Sequence, residues 1–163
     1  YQIMGIAPAG AAYVFVNDRQ VNSLAKAAGK KVAVLESDET QAKLVSQVGS
    51  TPVASDITNF STKFNNWVLD LIAAPLFSHN PLSLSKGLSP DGGIINYPLA
   101  QLTIQLIAKK DKFPAEMAQK SREYFYNNLH RITVGVYVNP HGRQIERLLR
   151  HCCVRGYHEV VVH

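Results

Sequence analysis

The strongest constraint on the fold is the order of apolar runs and capping residues over positions 29–75. Gly29-Lys-Lys-Val-Ala-Val-Leu35 leads into Ser37-Asp-Glu-Thr40, Gly49-Ser-Thr-Pro-Val53 follows, and Asp70-Leu-Ile-Ala-Ala-Pro75 closes the stretch. This pattern predicts strand, helix, strand, helix, strand with very short connections. Residues 32–35 form a brief apolar run of the kind buried in parallel sheets. Residues 37–40 offer N-cap oxygens and first-turn acids for a helix through Val48. Ala42, Leu44, Val45 and Val48 are expected to form its apolar face, and Gly49 to end it. Such alternation closes through right-handed crossovers and predicts an α/β domain with a mostly parallel sheet. Sheets of that class bind ligands at the carboxyl ends of their strands. Here those ends carry residues 37–40, 56–60 and 74–77.

Composition narrows the class. The chain has 163 residues, 46% hydrophobic and 18% charged. That is a globular composition, enough for one domain or a domain with a tail. No apolar run is long enough to span a membrane, which argues against a membrane pump proper. Tyr1-Gln-Ile-Met-Gly-Ile-Ala7 already reads as the inside of a strand. The chain is therefore expected to be a fragment whose upstream part is missing, and the lack of a leader says little about compartment.

The net charge of +5 is unevenly placed: residues 129–163 hold 5 of the 17 Lys/Arg, 2 of the 12 Asp/Glu and five of the six His. No basic patch on a recognisable nucleic-acid module is legible, so no nucleic-acid partner is expected. The only cysteines, Cys152 and Cys153, are adjacent. Consecutive Cα atoms about 3.8 Å apart are too close for a comfortable disulfide.

Elsewhere, residues 3–7 and 13–16 read as two strands either side of Pro8-Ala-Gly10. Residues 23–28 read as a short helix, 51–54 as a strand, 59–69 as a helix and 70–74 as a strand. Residues 75–93, with three Pro, four Ser and three Gly, read as a loop holding one short helix at 81–86. A strand at 93–97 and an antiparallel strand at 101–109 follow. In the latter, Leu102, Ile104 and Leu106 alternate with Gln101, Thr103 and Gln105, which predicts one wet face. Pro114 opens a helix to about Leu129, with Phe113 as its staple and Met117, Tyr124, Phe125 and Leu129 as its apolar face. Residues 1–129 are read as the domain and 130–163 as an atypical basic tail, with a strand at 132–138 and a helix at 144–153.

Catalytic signatures are absent. No G-x-G-x-x-G follows a strand, and there is no P-loop, G-x-S-x-G elbow or H-E-x-x-H. His151, Cys152, Cys153 and His158 lack the cysteine spacing of structural zinc sites, so no metal and no cofactor are expected. Asp38 and Glu39 read as first-turn helix acids rather than acid/base partners. His79 reads as a solvated loop residue. Trp67 reads as core, whereas Asn59 and Phe60 are open between cap-and-core and ligand contact.

Five segments carry a resemblance: Tyr13-Val-Phe-Val-Asn17, Val21-Asn-Ser-Leu24, Gly29-Lys-Lys-Val-Ala-Val34, Gly49-Ser-Thr-Pro-Val53 and Trp67-Val-Leu-Asp-Leu-Ile-Ala-Ala-Pro75. Their order resembles periplasmic solute-binding proteins of tripartite ATP-independent transporters. Within these it is similar to a poorly characterised subgroup, some members of which are labelled resistance-nodulation-division efflux components for aminoglycoside resistance. Trp67 departs from the pattern, which has Gly before the Val-Asp pair. The tail after Leu129 resembles nothing in the family, and an out-of-frame or truncated reading is expected to explain its His, Arg and Cys.

The resemblance implies an incomplete lobe of the type II periplasmic-binding-protein kind, with the N-terminal lobe missing. It implies periplasmic capture of a small polar or anionic solute, without catalysis, for membrane transporter subunits. The alternatives are an accessory component of an aminoglycoside efflux system and a small α/β enzyme. Such binding proteins commonly clamp a carboxylate with an arginine. Arg19 and Arg122, the only arginines before the tail, lie at no predicted strand end, so the clamp is expected in the missing part. The ligand-binding residues are expected at Ser37, Asp38, Thr40, Asn59, Phe60, Pro75, Leu76 and Phe77. Helix starts at these strand ends would favour an anionic or strongly polar group, while Asp38 would oppose a carboxylate.

Overall fold

The computed structural model describes residues 1–131 and a two-residue strand at Cys153–Val154. The strands are β1 (Gln2–Val16), β2 (Lys31–Leu35), β3 (Thr51–Ser55), β4 (Leu71–Pro75), β5 (Gly93–Ile95), β6 (Ala100–Ala108) and β7 (Cys153–Val154). The helices are α1 (Leu24–Ala27), α2 (Glu39–Gln47), α3 (Phe60–Asn65), α4 (Ser85–Leu88) and α5 (Ala115–Asn127). The strands form one mixed sheet in the order β3-β2-β4-β1-β5-β7, and β6 pairs β1. The expected α/β class holds. β2 runs parallel to both β3 and β4, with Leu35 beside Ser55 and Val32 beside Leu71. Asp70 reinforces the second pairing: its Oδ2 accepts the Lys31 N–H at 2.8 Å and its own N–H donates to the Lys31 carbonyl at 2.9 Å.

Local chemistry explains the parallel half. Asp38 caps α2 by accepting the Gln41 N–H at 2.9 Å, which satisfies one of the orphan donors of the first turn. Gly49 ends that helix at φ +80°, a left-handed conformation that costs a residue with a Cβ about 1 kcal/mol or more. Ala42, Val45 and Val48 are half-buried, as expected, but Leu44 is exposed on the outer side.

Two layers of side chains cover the sheet. On one face Phe15, Ile72, Ala74 and Ile94 pack under Phe64, Leu69, Leu84 and Leu88. On the other, Val16, Leu71 and Ile95 pack under Val21 and Ala27. Phe15, Phe64, Ile72, Leu84 and Ile94 are fully buried, each contributing roughly 1.5–3 kcal/mol of transfer free energy.

The first strand departs from expectation. Positions 3–7 and 13–16 belong to one 15-residue strand, β1. Pro8-Ala-Gly10 does not break it. The register against β6 shifts between Pro8 and Ala11, and Gly10 takes φ +83°, so the Pro-Gly signal marks an irregularity within a strand rather than its end. β6 is antiparallel as expected, yet both its faces are largely open, with Ile104 57% and Leu106 46% exposed.

Register fixes where this ribbon goes. Ala12 pairs with Pro75, the last residue of β4, and also with Ala100, the first of β6. Residues 2–11 of β1 and their partners in β6 therefore run on past the carboxyl edge of β4, for about 30 Å at strand rise. Helix α5 lies against this ribbon. Its buried side is Ala118 with half-buried Ser121 and Phe125, while Met117 and Tyr124 are exposed, contrary to the predicted stripe. Gly5 explains the difference: a Cβ there would stand 2.4 Å from the Phe125 ring, so ring and strand meet only because that side chain is absent.

Other boundaries differ from expectation as well. The helix expected over 59–69 is only Phe60–Asn65; Trp67 sits at φ +61° and is 52% exposed, not core. The 75–93 loop holds a single 3-10 turn, Leu76–Ser78, and α4. His79 is buried, not solvated: its ring stacks on Phe15 at 6.4 Å and Nδ1 lies 2.9 Å from Asn80 Oδ1. The strand expected at 132–138, most of the helix expected at 144–153 and the tail histidines from His141 onward lie outside the described residues; Cys153 itself is in β7.

Candidate ligand cleft

The carboxyl ends of β2, β3 and β4 open into a cleft of about 410 Å³. Leu35, Ser55 and Pro75 come from the three strand ends, Gln41 from α2, and Ile57, Phe60, Ser78 and Leu82 from the segments that follow β3 and β4. The cleft opens on the edge past which the β1–β6 ribbon projects, because Pro75 is the β4 partner of Ala12.

Its chemistry is mostly apolar, and among the described residues no charged side chain lines it. The polar lining consists of Gln41, Ser55 and Ser78. Gln41 Oε1 accepts the Leu35 N–H at 2.8 Å, which ties α2 to the end of β2. The two hydroxyls are held by carbonyls: Ser55 Oγ donates to Val53 O at 3.2 Å and Ser78 Oγ to Pro75 O at 2.6 Å. Lys63 stands just behind, its Nζ donating to Ala54 O at 2.7 Å and lying 3.4 Å from Ser55 Oγ.

Of the expected binding residues, Phe60 and Pro75 line the cleft, and Ser37, Asp38, Thr40, Asn59, Leu76 and Phe77 are not among its lining. Ser37 and Thr40 are exposed beside the half-buried Asp38 cap, Leu76 is buried, and Phe77 is exposed. Asn59 does not cap α3 with its side chain. Asp56 organises that turn instead: its Oδ1 accepts the Thr58 N–H at 2.6 Å, the Asn59 N–H at 3.0 Å and the Thr58 hydroxyl, and its Oδ2 accepts Asn59 Nδ2 at 2.7 Å. The Thr58 hydroxyl and amide, then the Asn59 amide and Lys63, hold the Asp56 carboxyl below its ordinary value of 3.8 against a smaller opposing effect of desolvation. The N–H groups at this helix start are thus occupied by the protein's own carboxylate. Of the lining residues not named as binding residues, Ile57 lies in the expected strand-end segment 56–60 and Leu35 ends β2, whereas Ala33 and Ala73 sit at the middle of β2 and β4 and carried no signal beyond an apolar strand.

Arg19 and Arg122 are engaged away from the cleft. Arg19 Nε donates to Asp91 O at 3.2 Å, and Arg122 donates to Ile3 O at 3.1 Å and to Gln119 Oε1. A second apolar recess of about 310 Å³, lined by Val14, Leu24, Leu71, Tyr97 and Leu99 among others, lies elsewhere on the sheet. Among the described residues there is no group of three or more His, Cys, Asp or Glu placed to hold a metal, and no helix long and apolar enough to cross a membrane.

This fold is that of one half of a TRAP-type periplasmic solute-binding protein. A TRAP periplasmic solute-binding protein from Sulfitobacter sp. NAS-14.1, solved with bound β-D-galacturonate, superposes with a TM-score of 0.72 over 93% of this chain and 50% of that one, at 14% identity. The periplasmic ectoine-binding protein of the TeaABC TRAP transporter of Halomonas elongata gives 0.70 over 91% of this chain and 46% of that one, at 15% identity. The chain belongs to the solute-binding protein AdeT 1/2 family, whose model matches residues 1–146. It is 47% identical over 136 residues to the "Probable solute-binding protein AdeT1" of Acinetobacter baumannii, covering 83% of this chain and 44% of that relative. The chain thus spans about half the length of the relatives it matches.

Proposed function

We propose that this chain forms one wall of a solute-capture site that serves membrane transporter subunits in the periplasm. The observation that carries this reading is the convergence of Leu35, Ser55, Phe60 and Pro75 on one cleft at the carboxyl edge of parallel strands. Ligands of open α/β sheets sit at that edge. The family's description as solute-binding proteins and the solutes named for the similar folds support it. Capture requires no activated nucleophile, only a concave, largely apolar surface with a few fixed hydrogen-bonding groups. Gln41, Ser55 and Ser78 are such groups. The ribbon of β1 and β6 rises from the same edge, where a facing wall would close over a bound solute.

The test is retention of small molecules from a cell extract. The chain and an Ala73→Trp variant, which fills the cleft from β4, are incubated with extract, washed, and the released compounds identified by mass spectrometry. A compound held by the wild type and lost at least tenfold by the variant supports the reading. Equal retention by both overturns it.

A further inference from the structure

We infer that the solute portion seated on this wall is an uncharged amide or alcohol on an apolar body, not a carboxylate or an ammonium. This inference rests on the cleft being the capture site. The body is set by Leu35, Ile57, Phe60 and Leu82, which with Ala33 and Ala73 make the wall apolar. Its volume of about 410 Å³ accommodates a small ring with a short side chain.

The head group follows from donor and acceptor bookkeeping. Ser55 and Ser78 each have their hydroxyl hydrogen directed to a backbone carbonyl, Val53 O and Pro75 O. Toward a ligand each offers an acceptor: Ser78 its lone pairs, and Ser55 the one left beside the Lys63 Nζ that donates to it at 3.4 Å. Gln41 uses Oε1 on the Leu35 N–H, and its Nε2 makes no hydrogen bond among the described residues, so it is the donor side. A primary amide matches this set: its carbonyl accepts from Gln41 and its N–H donates to serine. An alcohol matches it with a single oxygen. A carboxylate brings acceptors only and would meet two acceptor hydroxyls with one neutral donor. Among the described residues the nearest cation, Lys63, stands behind the wall and outside the lining, its Nζ on Ala54 O at 2.7 Å and on Ser55 Oγ at 3.4 Å, and Arg19 and Arg122 are engaged elsewhere. An ammonium would lose water with no carboxylate in the lining to replace it.

The test uses three compounds with one body: 3-phenylpropanamide, 3-phenylpropanoate and 3-phenylpropylamine. Each is titrated into the chain while the backbone and methyl NMR signals are followed. The amide is expected to shift Leu35, Ser55, Ile57 and Phe60 and to bind at least tenfold more tightly than the other two. Gln41→Glu keeps an acceptor for the Leu35 N–H and removes the donor, so it is expected to weaken the amide at least tenfold and strengthen the amine. Tighter binding of the carboxylate at those same residues overturns the head-group inference while leaving the cleft as the capture site. Shifts confined to Val14, Leu24 and Leu99 for all three remove the cleft reading itself. No shift with any compound at millimolar concentration overturns the inference.

Discussion

Ala12 pairs with Pro75 at the last position of β4, and that one register contact sets the geometry of the site. It puts the foot of the β1–β6 ribbon at the carboxyl edge of the parallel strands, beside the cleft that Pro75 lines. A slip of one residue would turn every side chain of β1 to the opposite face of the sheet. Phe15 and Val16, both fully buried on opposite faces, hold the register against such a slip.

The ribbon and α5 are joined through Gly5. A Cβ there would stand 2.4–2.6 Å from three atoms of the Phe125 ring. Gly5→Val is expected to push the ring out and destabilise the chain by about 1–3 kcal/mol, as overpacking does. Amide exchange in α5 should rise more than in β2. Protection of α5 equal to the wild type would show that the ring is not the anchor.

A second close approach lies in the core. Gly87 in α4 lies under Phe64, and a Cβ at this glycine would stand 2.4 Å from the ring and 3.0 Å from the Phe64 carbonyl. Because Phe64 is fully buried and its backbone is one of the close atoms, the ring has little room to yield. Gly87→Ala is expected to lower stability by about 1–3 kcal/mol, read from urea denaturation.

These contacts show what the sequence could and could not announce. The β2 and β3 strands were legible because each is a short run bounded by a cap or a glycine, and Asp38 and Gly49 do in the structure what their chemistry implies; β4 was legible as an apolar run between Asp70 and Pro75. Of the expected α5 stripe only Phe125 is turned inward; the rest of the buried side is Ala118 and Ser121, and small residues carry no hydrophobic signal. The alternation in β6 correctly marked a strand, but nothing in it revealed that Ile104 and Leu106 would stay open. At the cleft, the strand-end rule placed the edge, while attention to polar caps favoured Asn59 and Thr40 over Ala33, Leu35 and Gln41, which line it.

Trp67 departs from the glycine pattern, and the structure gives the cost. It takes φ +61° just past α3 with half its surface exposed. Left-handed geometry disfavours a residue with a Cβ by about 1–2 kcal/mol. Trp67→Gly is expected to raise stability by about 1 kcal/mol, seen as a higher midpoint in denaturant. A lower midpoint would mean that contacts of the indole outweigh the strain.

Asp56 gives the α3 turn a pH dependence. Its folded value is depressed, so its charged form adds stability above the ordinary value of 3.8 and loses it as pH falls through the lower folded value. Asp56→Asn is therefore expected to be less stable than the wild type at neutral pH, with the gap narrowing as pH falls below 3.8. Denaturation midpoints at pH 7 and pH 3 check this; a gap that widens in acid would contradict the assignment.

The central claim is that solute sits where β2, β3 and β4 end. The most direct measurement is an NMR titration of the chain with a compound recovered from extract. Ala33, Leu35, Ser55, Ile57 and Phe60, which line the strand-end cleft, are expected to shift together and saturate at one affinity, and Ala73→Trp to abolish the shifts. Saturating shifts at Val14, Leu24 and Leu99, the lining of the other recess, with the strand ends unmoved, would contradict it.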